Sequence, residues 1–369
     1  MAIALLTTYL TAYRIPLFER LAQRHDLEVL CFGGGERYVP AWFSDLDAQL
    51  ARAPFPARRL SGPKYALALG RRYDTVIGGF AGGAILPAAY AGARLHRRAF
   101  VLWASVWAQP RSATHIVARS ATNHIYRHAD AVVAYGPHVR RFVASIRGHD
   151  DDVFIAPQSV EPELFARNIE PNEIERFRRE HKLGNALLIL YVGRLVPEKG
   201  AGILATAWQR INARNQTLVL IGDGPEADRL QALPNAKLLG PLPREQLPVA
   251  YAAAELTVLP SIPTPRFREP WGLVCNESMH QGRPVIATDA VGAVAGGLVR
   301  DGETGLVIPA GDPDALASAT QHLLSDDALR NRLGEAAKRA VAPYTYDAMA
   351  AGFDQALEAA GATRRSESH

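Results

Sequence analysis

Short apolar runs alternate with helical patterns through the first half of the chain. The apolar runs are "IALLTTY", "LEVLCFGG", "TVIGGF", "AFVLWAS", "AVVAYG" and "VFIAPQS". Amphipathic stretches such as "PLFERLAQR" and "HVRRFVASI" stand between several of them. A strand that is apolar along its whole length is typical of a parallel sheet covered by helices on both faces. The pattern therefore predicts a doubly wound α/β domain.

The same alternation restarts after a polar segment that contains two prolines. We interpret "SVEPELFARNIEPNEIERF", with Pro162 and Pro171, as a linker. The apolar runs that we predict to be strands beyond it are "ALLILYVGRL", "QTLVLIGDG", "AKLLGPL", "LTVLPS", "PVIATD" and "TGLVIP". The chain is therefore predicted to form two tandem doubly wound, Rossmann-like domains that face a cleft. Ligands are expected there, at the carboxyl ends of the strands.

Length and composition agree with a soluble protein of two domains. The chain has 369 residues, of which 48% are hydrophobic and 21% charged. Its two cysteines, Cys31 and Cys275, are far apart, which excludes a disulfide framework and a CxxC metal site and favours a reducing cytoplasm. The opening "MAIALLTTYL" lacks a basic region and is predicted to be a first strand rather than a signal peptide. No run approaches the ~18 apolar residues of a membrane-spanning helix.

Positive charge is concentrated in the N-terminal half. Residues 1 to 165 hold 19 Lys and Arg against 13 Asp and Glu, whereas the whole chain carries a net charge of +4. A solvated arginine-rich surface would account for the excess, and so would an anionic acceptor or weak contact with the anionic inner face of a membrane. Nucleic acid is disfavoured, because the arginines are dispersed and no nucleic-acid module is present.

The stretch "YVGRLVPEKG" places two cations directly after a predicted strand. Gly193 ends the strand, and Arg194 and Lys199 follow on one loop. The chain has 36 arginines and only five lysines, so a lysine in a predicted cleft loop is unusual here. A bidentate guanidinium and a compact ammonium together suit a diphosphate, although a solvated loop would also carry such charges.

The stretch "EPWGLVCNESMHQG" predicts a loop from Glu269 to Gly272 followed by a helix. Leu273 and Val274 would present backbone N–H groups at the helix N-terminus, which attracts phosphate. Glu277, about one turn into the helix, can accept hydrogen bonds from a ribose diol, and Glu269 can reach hydroxyls at the other end of a ligand. The spacing matches a nucleotide sugar whose diphosphate lies over the helix.

Together these motifs resemble the retaining glycosyltransferases of the GT-B fold, of the large family 4 type that includes sucrose synthases and bacterial mannosyltransferases. The resemblance is strong from "YVGRLVPEKG" through "GETGLVIPAGD" and weaker in the N-terminal half. It implies that a hexosyl group passes from a nucleoside diphosphate to a hydroxyl, without a metal or other cofactor. The catalytic residues that it implies are Arg194, Lys199 and Glu269. The donor-binding residues that it implies are Gly193, Gly272, Leu273, Val274 and Glu277.

The resemblance also implies the domain organisation. Residues 1–164 would bind the acceptor and residues 165–342 the nucleotide sugar, and residues 343–369 would hold a helix that crosses back to the first domain. Two N-terminal loops depart from the family: "TTYLTAYRIP" replaces a Gly-Gly loop, and "ASVWAQPRSATH" stands where many members carry a histidine. The acceptor-side candidates, which follow strands at the expected cleft, are Tyr13, Arg14, Ser105, Trp107 and His115.

Other motifs carry less weight. "LVLIGDGPEADRL" resembles a dinucleotide fingerprint, but the next strand ends without a ribose-binding acid, so we interpret it as a tight turn. Asp45 and Asp47 have DxD spacing and residues 150–152 form an acidic cluster, and both are interpreted as solvated surface. The chain has no GxxxxGK[ST], HExxH or GxSxG motif.

We therefore expect a cytoplasmic, retaining hexosyltransferase with a UDP- or GDP-type donor. The bias towards arginine and alanine suggests a bacterium, so a bacterial envelope glycan or lipid and a secondary metabolite are both plausible acceptors. A nucleotide-sugar epimerase or a phosphorylase on the same fold is the alternative within enzymes. A non-catalytic nucleotide-sugar-binding protein is the alternative outside them.

Overall fold

The computed structural model describes residues 1–33, 46–79, 83–109, 111–211 and 215–366, without the side chains at 113–115, 362 and 364–366. The chain divides into two compact units. The N-terminal unit comprises Met1–Gln158 together with Tyr346–His369, and the C-terminal unit comprises Ser159–Thr345. Each unit is an α/β structure built on one parallel sheet.

The sheet of the N-terminal unit has seven strands. They are β1 (Ala2–Thr7), β2 (Asp26–Cys31), β3 (Ala57–Arg59), β4 (Thr75–Gly78), β5 (Ala99–Ala104), β6 (Ala131–Ala134) and β7 (Val153–Ile155). Their order is β3-β2-β1-β4-β5-β6-β7, and every pairing is parallel. The order reverses between β1 and β4, where Ile3 pairs with Thr75 and Leu5 with Ile77. This reversal defines a doubly wound sheet.

Helices cover both faces of this sheet. They are α1 (Ile15–Arg24), α2 (Leu46–Ala51), α3 (Pro63–Leu67), α4 (Ile85–Leu95), α5 (Ala113–His128), α6 (Pro137–Arg147) and, from the end of the chain, α16 (Tyr346–Ser366). Because side chains alternate along a strand, Ile3 and Leu5 face one core while Ala4 and Leu6 face the other. The first of these cores also contains Phe353 of α16, so the last helix completes the N-terminal unit.

The sheet of the C-terminal unit has six strands. They are β8 (Leu187–Val192), β9 (Gln216–Ile221), β10 (Ala236–Gly240), β11 (Leu256–Leu259), β12 (Val285–Thr288) and β13 (Gly305–Ile308). Their order is β10-β9-β8-β11-β12-β13, again entirely parallel. The helices are α7 (Pro162–Phe165), α8 (Pro171–Glu180), α9 (Ala201–Arg210), α10 (Ala227–Gln231), α11 (Leu247–Ala253), α12 (Leu273–His280), α13 (Gly292–Ala295), α14 (Pro313–Ser325) and α15 (Asp327–Val341). The two doubly wound parallel sheets predicted from the sequence are confirmed.

The predicted linker is wrong in one respect, because it contains two helices. Pro162 and Pro171 each occupy the first position of a helix, α7 and α8. Proline is favoured there because its φ is already helical and its missing N–H would have no partner within the helix. Phe165 and Phe177 are buried in the core of the C-terminal unit, so this segment is part of the folded unit.

The structure bears on two expectations from the sequence, which concern the cysteines and a membrane-spanning helix. Cys31 and Cys275 are both unpaired and buried. Within the described ranges, no helix is both long enough and apolar enough to cross a membrane. The expected contact with an anionic membrane surface stays a prediction.

His280, at the end of α12, is a buried histidine that should make stability depend on pH. Only 4% of its surface is exposed, and its Nε2 atom has no hydrogen-bond partner among the described residues. Burial lowers the pKa of His280 to about 4, and the charge of Lys338 acts in the same direction. As the pH falls, His280 therefore takes up a proton near pH 6.5 in the unfolded chain, but only near pH 4 in the folded chain. Protonation between these two values favours the unfolded state.

We predict that acidification from pH 7 to pH 5 lowers the free energy of unfolding by about 2 kcal/mol through His280 alone. His280→Gln should remove that part of the decline, and urea unfolding at the two pH values would measure it. His322→Gln is the matched control, because His322 is exposed in the same unit. An unchanged pH dependence in His280→Gln would contradict the assignment.

Candidate active site

Two loops of the C-terminal unit meet where its strand order reverses, between β8 and β11. Gly200, after β8, has a φ of +77°, and a Cβ on it would lie 1.9 Å from the carbonyl oxygen of Pro260, after β11. The N–H of Ile262 donates to the carbonyl of Glu198 at 3.0 Å. Only glycine permits this approach of the two backbones. In doubly wound sheets, the carboxyl ends of strands at such a reversal are where ligands bind.

Lys199 and Glu269 form a close ion pair at this place. Lys199 ends a short 3₁₀ turn, and its Nζ lies 2.5 Å from Oε2 of Glu269. The same oxygen accepts a hydrogen bond from Oγ of Ser261 at 2.9 Å. The side chains of Lys199 and Glu269 are only 17% and 7% exposed, so little water screens their charges. The ammonium of Lys199 also makes a cation–π contact with the ring of Phe267, whose centroid is 5.7 Å from Nζ.

The backbone around Glu269 is also fixed. Glu269 forms an isolated parallel bridge with Val291, and its carbonyl accepts from the N–H of Gly292 at 3.1 Å. Ser261 is held in turn by Thr288, whose hydroxyl donates to the Ser261 carbonyl at 2.5 Å. The carboxylate therefore sits on a rigid frame supplied by the ends of β11 and β12.

Helix α12 begins where the sequence predicts it. Gly272 is its N-cap residue, with a φ of +95°, and Leu273 and Val274 occupy the first two helical positions. N–H groups at these positions have no acceptor within the helix and carry the positive end of its dipole. The positive φ favours glycine at position 272, and a Cβ there would lie 2.6 Å from a terminal carbon of the Leu259 side chain, which would have to move.

Glu277 lies in the second turn of α12 with its carboxylate hydrogen-bonded. The hydroxyl of Tyr251, on α11, donates to Oε2 of Glu277 at 2.6 Å. Burial raises the pKa of Glu277, while the Tyr251 hydrogen bond and the charge of Arg244 oppose that rise. Arg244 itself pairs with Glu161 at 2.6 Å.

Arg194 follows Gly193 at the end of β8 and is half-buried. Its carbonyl accepts a hydrogen bond from the hydroxyl of Tyr191 at 2.8 Å. Burial raises the pKa of the Tyr191 phenol, so this group stays a neutral donor. Within the described part of the chain, the Arg194 guanidinium forms no ion pair, which leaves its charge uncompensated at the carboxyl end of the sheet.

The structure adds three polar side chains that sequence reasoning missed. Ser261 touches Glu269, and Tyr251 and Arg244 act on Glu277. Ser261 is the last residue of the predicted strand "LTVLPS", and its position at the carboxyl end of a strand could have marked it. Tyr251 stands in the apolar helical stretch "PVAYAAAE", and nothing in this sequence distinguishes it from an aromatic residue that only packs in the core.

On the N-terminal unit, Arg14 is buried rather than presented on a loop surface. It is 8% exposed and donates to the Tyr135 hydroxyl at 2.7 Å and to Oε1 of Gln158 at 2.8 Å. Its guanidinium also lies 4.7 Å from the ring centroid of Trp103. The Tyr13 carbonyl accepts from the Tyr346 hydroxyl at 2.7 Å. These contacts hold the N-terminal unit together, and the acceptor roles of Tyr13 and Arg14 stay predictions.

The remaining acceptor-side candidates follow β5. Ser105 is buried, and Trp107 is half-buried with its ring edge-on to His138 at 5.4 Å. His115 lies in α5, and its side chain is outside the described part of the structure. The acceptor roles of these residues also stay predictions.

The acidic motifs have cationic partners. Asp45 lies outside the described residues, and Asp47 pairs with Arg59 at 3.0 Å. Asp150 pairs with Arg140 at 2.8 Å, and Asp152 pairs with Arg147. Across the described ranges, no group of three or more His, Cys, Asp or Glu side chains is arranged to hold a metal ion.

Solved structures with the same architecture define the fold class. The crystal structure of Anabaena HepE in complex with UDP superposes with a TM-score of 0.80, at 20% identity, over 97% of this chain and 100% of that one. Sucrose-phosphate synthase from Thermosynechococcus elongatus superposes with a TM-score of 0.71, at 22% identity, over 98% and 100%. The fold is that of the GT-B glycosyltransferases, as the sequence predicts.

Sequence comparison places the candidate site inside a known domain. Residues 173–340 match the family described as "Glycosyl transferases group 1". D-inositol 3-phosphate glycosyltransferase of Corynebacterium glutamicum is 33% identical over 54% of this chain and 50% of its own length. Alpha-D-kanosaminyltransferase of Streptomyces kanamyceticus is 31% identical over 64% and 62%. A GDP-mannose-dependent alpha-(1-6)-phosphatidylinositol monomannoside mannosyltransferase of Mycolicibacterium smegmatis is 30% identical over 60% and 60%.

The chain thus spans about half to three fifths of the length of these curated relatives. Its C-terminal unit carries a glycosyltransferase group 1 domain, which confirms the resemblance of the sequence motifs to a glycosyltransferase. All the residues predicted to bind the donor lie within that domain.

Proposed function

We propose that the protein is a retaining glycosyltransferase that moves a hexosyl group from a UDP- or GDP-type sugar to a hydroxyl acceptor. The observation that carries this proposal is the buried pair of Lys199 and Glu269, at the strand-order reversal of a group 1 domain. As acceptor we propose a bacterial envelope glycan or lipid, or a secondary metabolite. The names of two relatives, which include an inositol phosphate and a phosphatidylinositol mannoside, support the first of these. The name of the kanosaminyltransferase gives the group that is transferred and not the acceptor.

In the proposed reaction the bond between the anomeric carbon and the phosphate oxygen breaks, and the diphosphate takes the electron pair. The acceptor oxygen attacks from the same face, and its proton passes to the departing phosphate oxygen. Arg194, Lys199 and the N–H groups of Leu273 and Val274 stabilise the negative charge that develops on the diphosphate. Such fixed donors need no reorganisation as the charge appears, and each typically contributes about 3 to 4 kcal/mol.

Glu269 has two roles in this proposal. Its carboxylate fixes the Lys199 ammonium at one position and approaches the sugar, where positive charge develops on the ring. Glu277 binds the ribose diol at the other end of the donor. Glu269 therefore acts on the sugar, whose charge and ring shape change during transfer. Glu277 acts on the ribose, which hardly changes.

The proposal is tested by incubating the protein with labelled UDP- and GDP-sugars in buffer that contains EDTA. Candidate acceptors would be an inositol phosphate and a phosphatidylinositol mannoside. We predict transfer to an acceptor without added metal, because cations of the chain and backbone N–H groups take the place of a divalent ion. Loss of activity that magnesium restores would contradict metal independence. Epimer formation, or binding without turnover, would favour the alternative functions.

Arg194→Ala and Lys199→Ala should each lower kcat by about 100-fold or more, because both charges matter most as the diphosphate leaves. Initial rates at saturating donor would measure the effect. Lys199→Ala also leaves the buried Glu269 unpaired, so its folded fraction must be checked by circular dichroism. Arg194→Ala breaks no ion pair of the described structure, so we expect it to stay folded. A lower kcat in this variant would therefore report on catalysis and not on a loss of folded protein. Lys237→Ala, at an exposed lysine of the same unit, is the control, and wild-type rates in both site variants would refute the assignment.

Glu277→Ala should raise the donor KM more than it changes kcat, because ribose contacts are nearly the same in the ground and transition states. Glu269→Gln should mainly lower kcat, because it removes charge beside the reacting sugar and releases Lys199. Saturation curves for both variants distinguish these effects, and Glu335→Gln, at an exposed position of α15, is the control. The opposite pattern would mean that the donor lies in the reverse orientation.

A further inference from the structure

The carboxylate of Glu277 accepts a hydrogen bond from a side chain that is itself fully buried. Tyr251 is fully buried, and its ring packs edge-on against the buried ring of Phe165, with centroids 6.5 Å apart. Its hydroxyl reaches Oε2 of Glu277 at 2.6 Å. A phenol has one proton, and burial raises the pKa of Tyr251 well above its usual value, so the phenol is the donor in this bond. A hydrogen bond from a neutral donor to an ionised carboxylate is among the stronger ones in proteins.

Arg244 adds a positive charge that acts on Glu277. Its guanidinium pairs with Glu161 and lies 5.5 Å from the ring centroid of Phe165, the ring that also packs on Tyr251. Phe165 thus anchors both groups that act on Glu277. The described residues donate one hydrogen bond to the Glu277 carboxylate, and it goes to Oε2.

We propose that Tyr251 is a positioning residue for donor binding: its hydroxyl holds Oε2 of Glu277, so that Oε1 is turned to accept hydrogen bonds from the ribose of the donor. The inference rests on the proposed function, since it specifies how the ribose-binding acid is held. A glutamate without this bond would sample several rotamers, and ribose binding would have to select one of them. Tyr251 itself touches no substrate.

The hydrogen bond also sets the charge state of the acid. The groups that face Glu277 are the phenol of Tyr251, the guanidinium of Arg244 and the thiol of Cys275, and burial keeps that thiol neutral by raising its pKa. Burial raises the pKa of Glu277, and the phenol lowers it. Without the phenol, Glu277 would take up a proton at a higher pH. A protonated acid has lost one of its acceptor sites for the ribose diol.

The test is Tyr251→Phe, which removes one oxygen and keeps the ring. Titration calorimetry with UDP and with GDP should show a dissociation constant about 5- to 10-fold larger than that of the wild type, since about one charge-assisted hydrogen bond is lost. The donor KM should rise by a similar factor, while kcat changes by less than about 2-fold. On acidification, the affinity for the nucleotide should begin to fall at a higher pH in Tyr251→Phe than in the wild type. Protonation of the nucleotide phosphate also weakens binding at low pH, but it affects both proteins equally and therefore does not cause this difference.

A double-mutant cycle separates positioning from a merely structural role. In a Glu277→Ala background, Tyr251→Phe should cause no further loss of nucleotide affinity, because its effect acts through the missing carboxylate. Tyr126→Phe, at a buried tyrosine of the N-terminal unit, is the matched control for deleting a buried phenol.

Three outcomes would overturn the inference. Equal nucleotide affinity and an unchanged pH dependence of that affinity in Tyr251→Phe would show that the phenol does not position the acid. Full additivity in the cycle would show that its effect does not pass through Glu277. If the wild type binds neither UDP nor GDP, the proposed function fails together with the inference. If the wild type binds a nucleotide and Tyr251→Phe binds it equally well, only the inference fails.

Discussion

The contact between Gly200 and the Pro260 carbonyl constrains the whole candidate site. It brings the loop after β8 against the loop after β11, at the point where the strand order of the C-terminal sheet reverses. Lys199 precedes this glycine by one residue, and Ser261 follows this proline by one residue. A side chain at position 200 would push the loops apart and separate the ammonium from its carboxylate. The geometry of the charged groups therefore depends on a backbone contact that carries no charge itself.

Burial of charge explains why the site residues have the partners that they have. A carboxylate removed from water is destabilised unless cations or hydrogen-bond donors replace the lost hydration. Glu269 receives an ammonium and a hydroxyl, and Glu277 receives a phenol within the field of a guanidinium. Arg194, by contrast, is only half-buried and needs no carboxylate partner. Among the described residues, no carboxylate forms an ion pair with Arg194, so its positive charge is not neutralised by them.

Sequence patterns predicted the sheets and the start of α12 well, because these features follow from local order. Apolar runs mark buried strands wherever they occur, and the start of α12 follows from Gly272 and the residues next to it. The contacts between Tyr251 and Glu277, and between Arg14 and Gln158, join residues 26 and 144 positions apart, which no local pattern reveals. The linker error had another origin: proline ends many helices, but at Pro162 and Pro171 it begins them.

The last helix has a consequence for biosynthesis. Residues Met349 and Phe353 of α16 pack in the same core as Ile3 and Trp103, although the whole C-terminal unit lies between them in sequence. A ribosome makes the seven strands of the N-terminal sheet first, yet one face of that sheet lacks part of its cover until residues beyond 345 have emerged. The C-terminal unit, which is continuous in sequence, can complete its core earlier. The N-terminal unit therefore cannot complete this core until α16 has been made, and a nascent chain exposes apolar surface of its first sheet while the C-terminal unit is being synthesised.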